Sequence, residues 1–176
     1  ALVEEGAQVD RTVSLGRGAI VRRGCVVCGA SVIGEDAILS GDSYVEDSAV
    51  GAGTRVDSSR LVGARVGKRC SVGPYASLRP ASVVGDEVRI GAFVECKNAR
   101  VGDGCKIAHL AYVGDADLSE RVNVGCGVVF VNYDGKRKSR TRVGKGAFLG
   151  SNCNLVAPLR VGDGCFVAAG TTLTRD

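Results

Sequence analysis

One histidine, His109, occurs in 176 residues, inside the stretch KIAHLAYVGD. As a residue type, imidazole titrates near neutrality and suits taking a proton from an amine or hydroxyl nucleophile. Tyr112 follows three residues later. Arg79 and Lys97 stand 18 residues apart with nothing irregular between them. Further on, VNYDGKRKSRTR sets Lys136, Arg137, Lys138, Arg140 and Arg142 behind a turn signal, which reads as a basic loop. Eight cysteines complete the reactive inventory.

What positions these groups is a repeat of six. Aliphatic residues fall at Val9, Leu15, Val21, Val27, Ile33, Leu39 and Val45, then at Val50, Val56 and Val62. They resume through Val66, Val72, Leu78, Val84 and Ile90, then Val101, Ile107 and Val113, then Leu118, Val124 and Phe130. The last run is Val143, Leu149, Leu155, Val161, Val167 and Leu173. A column of small residues lies two positions earlier, including Ala19, Cys25, Ser31, Ala37 and Ser43. Period two within a strand puts both columns on the inward face. The glycine that often follows supplies the dihedrals of a corner. Each hexapeptide is therefore a short strand and a turn, stacked as a parallel β-solenoid.

Composition narrows the function. Aromatic residues are scarce, Trp and Met are absent, and a charge of +4 does not by itself argue for nucleic acid. Tyr133 is the basic loop's one aromatic, too few for a base-stacking platform. No apolar run reaches membrane-spanning length, so no membrane partner is expected. The acidic start ALVEEGAQVD lacks the basic segment of a signal peptide.

The cysteines follow the repeat. Cys25, Cys70, Cys105, Cys153 and Cys165 occupy the small inward column. Cys70 and Cys105 share a face but lie two coils apart, roughly 9–10 Å, beyond disulfide reach. CVVC at 25–28 is a single CxxC with no second pair, so no metal site is expected. Small core filler in a reducing cytoplasm accounts for them.

Breaks in a solenoid map to loops, often on the binding face. One-residue slips fall between Cys96 and Val101 and between Val113 and Leu118, bracketing His109, which is expected in a turn. Thirteen residues replace six between Phe130 and Val143. The unbroken frame stacks Arg79 on Lys97 about 5 Å apart on an outer edge. Such a pair repels unless an anion accompanies it, either Glu95 or a phosphate-bearing ligand.

The hexapeptide pattern resembles the hexapeptide-repeat family, which implies a left-handed parallel β-helix of triangular section, all-β and about ten coils long by arithmetic. From residue 66 the motifs VGPYASLRP, IGAFVECKNARVGDG, KIAHLAYVGDADL, VNVGCG, VNYDGKRK, LVAPLRVGDG and AAGTTLTRD resemble one group. It is the C-terminal acetyltransferase domain of the bacterial bifunctional N-acetylglucosamine-1-phosphate uridyltransferase / glucosamine-1-phosphate N-acetyltransferase family. Residues 1–65 match only as generic coils; residues 66–176 carry the site of what reads as a single domain.

The resemblance implies acetyl transfer from acetyl-CoA to the amine of glucosamine 1-phosphate, toward UDP-N-acetylglucosamine and peptidoglycan, in the cytoplasm and without a metal. It makes His109 the general base. It makes Arg79, Lys97, Tyr112 and Asn123 sugar-phosphate contacts, with Lys138 given from a neighbouring subunit. Cys126, Asn132, Tyr133, Ser151 and Ala169 fall where the family contacts acetyl-CoA. The family works as a homotrimer with sites between subunits.

Two segments of the family pattern are missing from these residues: the N-terminal uridyltransferase domain and the C-terminal tail that adds an arginine to the CoA site. The chain reads as an excised domain, and uridylyl transfer is not expected of it. Cys126 stands where a smaller residue is common. Competing readings are a hexapeptide acetyltransferase for another amino sugar, and a non-catalytic trimerising or regulatory β-helix. A γ-type carbonic anhydrase needs several histidine ligands, and one histidine excludes it.

Overall fold

A computed structural model describes residues 1–176. Its strands are two to four residues long and no helix interrupts them. They form three parallel sheets of ten, ten and nine strands, each sheet taking every third strand. The first face begins at Leu2–Val3, the second at Gln8–Val9 and the third at Ser14–Leu15. Pairings such as Leu2 with Ile20, Gln8 with Val26 and Ser14 with Val32 repeat up the stack. The result is a left-handed parallel β-helix of about ten coils.

A two-residue strand has no stability alone, so each coil depends on burying its inward side chains against its neighbours. The core is accordingly one continuous cluster, from Ala19 to Val167. Val21, Val27, Leu39 and Val45 are fully buried, as the repeat requires.

The structure corrects the repeat in one coil. Leu61, not Val62, is the inward residue: it pairs with Val45 below and Leu78 above and is fully buried. Five-residue steps occur at 45–50, 56–61, 61–66, 96–101 and 113–118, so there are five slips and not two. Four of the five, and the long insertion after Phe130, lie at the corner between the second and third faces. Irregularity is concentrated on one edge.

In three of the shortened corners a hydroxyl supplies the acceptor that a six-residue corner finds in its own backbone. In six-residue corners the small-column N–H reaches the carbonyl three residues back, as Ala19 does to Gly16 and Ala37 to Gly34. In the shortened stretch that N–H meets a Ser or Thr oxygen of the coil below. Ser48 N donates to Ser31 Oγ, Ser59 N to Ser43 Oγ and Ala64 N to Ser48 Oγ, and the same kind of bond continues into the six-residue step 72–78, where Ala76 N donates to Ser59 Oγ. Buried N–H groups need such partners, and this explains why inward serines cluster between Ser31 and Ser59.

Of the cysteines assigned to the small column, Cys25, Cys70, Cys105 and Cys153 are buried. Cys165 is exposed, because its coil has no strand of the first face above it. Cys96, in the aliphatic column, is fully buried, and burial pushes its thiol up to about 12.

Candidate functional site

His109 ends the four-residue strand Lys106–His109 of the first face, rather than lying in a turn. Its backbone pairs with Ala92, which extends the strand to the corner between first and second faces. The imidazole is exposed there. Register carries the same position upward: Ile107 pairs with Val124, Val124 with Leu149 and Leu149 with Val167. Two residues beyond each of these stand His109, Cys126, Ser151 and Ala169. The sequence candidates thus form one exposed column, about 4.8 Å apart per coil.

Beside that column runs a second, with left-handed backbone at Tyr75 (φ 59°), Phe93 (φ 58°) and Leu110 (φ 41°). Bulky side chains rarely take this conformation. All three are more than half exposed, and the Tyr75 and Phe93 rings stack at 5.4 Å. Above Leu110 the column continues as Gly127 (φ 75°), so large apolar side chains stop one coil above the histidine.

The second face begins at this corner and carries the cations at its far edge. Leu78 pairs with Cys96 and Cys96 with Val113, which places Arg79, Lys97 and Gly114 in one column. Arg79 Nη1 donates to Glu95 Oε1 at 2.8 Å, so the carboxylate half of the sequence alternative is present. Lys97 has no such partner. The neighbouring charge of Lys138, on the long loop, and then that of Arg79 depress the Lys97 ammonium pKa. Within the single chain Lys138 already bears on Lys97; the resemblance gives this lysine to the site of a neighbouring subunit. Tyr112 stands between the histidine edge and the cations. Its phenol lies over Gly114, in the space a Cβ there would take.

Behind the cations is a polar ladder that sequence reading missed. Asp115 is 8% exposed and accepts from Asn98 Nδ2 and Asn132 Nδ2, each at 2.5 Å. Burial would raise its carboxyl pKa, but the two amides and the charges of Lys138 and Arg140 hold it below the usual range. Arg140 ties the loop down by donating to Asp117 Oδ1 (2.7 Å) and to the Asn98 carbonyl (3.0 Å). The signal was present: Asn98, Asp115 and Asn132 recur at 17, the spacing of coils shortened by one. A strict period of 18 hides it.

One candidate lies elsewhere. Asn123 is on the first face, paired with Lys106 and Phe148, away from Arg79 and Lys97. Asn132 and Tyr133 sit at the loop edge, across the second face from Cys126, Ser151 and Ala169. Tyr133 donates its phenol to the Gly135 carbonyl, and Asp134 accepts from the Lys136 and Arg137 N–H groups, so the basic loop is a folded turn. The clefts on the third face are lined by arginines. One of about 450 Å³ includes Asn98, Arg100, Asp117, Arg140 and Arg142.

Comparison with known proteins follows the same lines. Residues 63–98 match the family described as bacterial transferase hexapeptide (six repeats), and residues 140–175 the hexapeptide repeat of succinyl-transferase. Proteins named bifunctional protein GlmU match almost the whole chain. That of Alkaliphilus metalliredigens is 45% identical over 98% of this chain and 38% of its own length. That of Clostridioides difficile is 46% identical over 96% and 37%. The chain therefore spans less than two-fifths of these relatives. Among solved structures, the UDP-N-acetylglucosamine acyltransferase of Francisella novicida has a TM-score of 0.61 at 18% identity, covering 98% of this chain and 62% of that one. The Arabidopsis enzyme of the same name has 0.60 at 17%, covering 91% and 66%. These two share the fold.

Proposed function

The chain belongs to the hexapeptide-repeat transferases as a homologue of part of the proteins named bifunctional protein GlmU, and from that premise we propose that it transfers an acetyl group from acetyl-CoA to the amine of glucosamine 1-phosphate. The observation that carries the reading is the layout of one face. His109 stands at one edge, in column with Cys126, Ser151 and Ala169. Arg79, Lys97 and Lys138 stand at the other, with Tyr112 between.

From the His109 strand end to Gly114, beside Lys97, is five residues, roughly 18 Å of extended chain at most. Side chains reaching inward from both edges can meet the amine and the phosphate of one sugar. The exposed small-residue column gives an extended thioester substrate a shallow path along the coils, leading to the histidine. His109 accepts the proton as the amine nitrogen bonds to the thioester carbonyl carbon. The carbon–sulfur bond then breaks, and the CoA thiolate leaves and is protonated. A placed base contributes about 10²–10⁴-fold; holding both substrates together supplies much of the rest.

Arg79, Lys97 and Lys138 supply the phosphate charge complement, with Arg79 exchanging Glu95 for the ligand. Asn123 lies too far round the first face to join the site of its own chain, which supports a site completed between subunits, as in a homotrimer. Cys126 offers its backbone, so its extra bulk over a smaller residue is tolerated. The product supplies UDP-N-acetylglucosamine synthesis and so the cell wall, in a reducing cytoplasm that suits eight free thiols.

The test is mass-spectrometric detection of N-acetylglucosamine 1-phosphate, wild type beside His109→Ala. The exposed imidazole makes no structural contact that its loss would break, so the variant folds and loses at least about 100-fold in kcat. Equal activity in both removes the base; no product from a folded wild type leaves the scaffold reading; product only with another amino sugar redirects the substrate.

A further inference from the structure

We propose that Asp115 is a positioning residue that fixes which way the Asn132 amide faces, and so makes the site present an acceptor at that point. The kinetic part of its test rests on the acetyltransferase reading above; the geometry does not.

An ionised carboxylate accepts hydrogen bonds and donates none. Asp115 meets Asn132 through Oδ2, and Asn132 turns its Nδ2 toward it at 2.5 Å. The same Nδ2 also donates to the Tyr112 phenolic oxygen at 3.4 Å. Both amide hydrogens are thereby committed, and Asn132 Oδ1 has no hydrogen-bond partner within the chain. The flipped amide would set Oδ1 against a carboxylate, two acceptors with no proton between them. Tyr112, accepting from Asn132, keeps its own O–H proton to donate outward. The site therefore offers a fixed acceptor beside a fixed donor, and the ligand group that meets Asn132 is an N–H or O–H.

Asp115 is itself held. Its other oxygen accepts from Asn98 Nδ2, and its backbone N–H donates to the Lys97 carbonyl at 3.0 Å. It is buried, flanked by the charges of Lys138 and Arg140, and it sits at φ 46°, which fixes its backbone in a corner. None of its atoms is needed on a substrate. It acts through Asn132.

Four proteins decide the matter: wild type, Asp115→Asn, Asn132→Asp and the double exchange. In Asp115→Asn the amide at 115 serves Asn98 as acceptor but confronts Asn132 with a donor. The expected result is a rise of about tenfold in the KM for acetyl-CoA, the substrate the family resemblance gives to Asn132. The KM for glucosamine 1-phosphate stays or falls, because an anion has left the neighbourhood of Lys97 and Lys138. A merely structural lesion would raise both. Asn132→Asp alone sets two carboxylates together and loses activity. The double exchange reverses donor and acceptor, keeps the net charge, still turns an acceptor to the ligand, and restores the KM to within about threefold.

Unchanged KM values in Asp115→Asn, equal rises in both, or no recovery in the exchange would each overturn the proposal. If Asp115→Asn does not fold, the charge-conserving exchange carries the kinetic comparison. Side-chain amide hydrogen exchange, read by NMR in wild type and the exchange pair, gives an arm free of activity. Slow exchange of the Asn132 Nδ2 hydrogens in the wild type is expected, and exchange at the solvent rate sinks the proposal. Should the folded wild type make no product, the function reading fails and this arm alone judges Asp115.

Discussion

Lys138, on the inserted loop, stands beside Lys97, and its charge depresses the Lys97 pKa. Two neighbouring ammonium groups, only partly offset by the buried Asp115 carboxylate, favour an anion such as phosphate. Arg79, which also bears on Lys97, is engaged with Glu95. The Glu95 carboxylate therefore offsets part of the positive charge at this edge.

The pH dependence of sugar-phosphate binding follows from that contact. Lys97 is cationic below its depressed pKa and neutral above it, so kcat/KM for glucosamine 1-phosphate falls as pH rises through that value. In Lys138→Ala the principal cause of the depression is gone, and the alkaline limb moves to higher pH while the plateau drops. Linkage gives the stability sign. With the folded pKa below the unfolded one, the unfolded chain binds more protons between the two, and stability rises with pH in that window up to the ordinary lysine value of 10.5. An alkaline limb that does not move in the variant refutes the contact.

Gly114 has a steric role at Tyr112. A methyl group at 114 would occupy the place of the Tyr112 phenol. Gly114→Ala should therefore swing the ring away and lower kcat/KM about tenfold or more, comparable to Tyr112→Ala. Combined with Tyr112→Ala it should add little, since the ring it displaces is already absent. Additive losses would place the effect in the backbone instead.

The hydroxyl ladder makes a stability prediction far from the site. Ser48 is buried, accepts from Ala64 N–H at 3.0 Å and donates to the Glu46 carbonyl at 2.7 Å. Ser48→Ala leaves the buried Ala64 N–H unpaired, while the Glu46 carbonyl keeps the Gly63 N–H; the cost is about 1–3 kcal/mol, seen as a drop of several degrees in the thermal midpoint with kinetic constants unchanged. Ser14→Ala, on an exposed outward position, is the matched control.

Thiol labelling reads the coil positions of the cysteines. Cys126 and Cys165 are exposed and should react rapidly with a thiol reagent. Cys25, Cys70, Cys96, Cys105 and Cys153 are buried and should react only on unfolding, with the half-buried Cys28 between. Acetyl-CoA should protect Cys126, in the His109 column, better than Cys165, below the Ala169 corner. Equal protection would separate the cofactor path from that column.

The sequence by itself determined the coil. A period of six with an aliphatic residue and a small residue two apart leaves no inward face except the one observed, because strand alternation is fixed at two. It also determined that Arg79 and Lys97 stack, since the frame between them is unbroken and register depends only on counting. Counting fails where a coil shortens. Whether Leu61 or Val62 points inward depends on which corner absorbs the missing residue, and both are aliphatic; packing against Val45 and Leu78 chose Leu61. The same shortening brought Asn98, Asp115 and Asn132 into one ladder at a spacing of 17. His109 lies at a strand end and not in a turn because its backbone finds Ala92 beside it. The inserted loop has no period at all. Its return onto Lys97, through the pairing of Arg140 with Asp117 and Asn98, was settled by long-range electrostatics and hydrogen bonds that only the assembled coils provide.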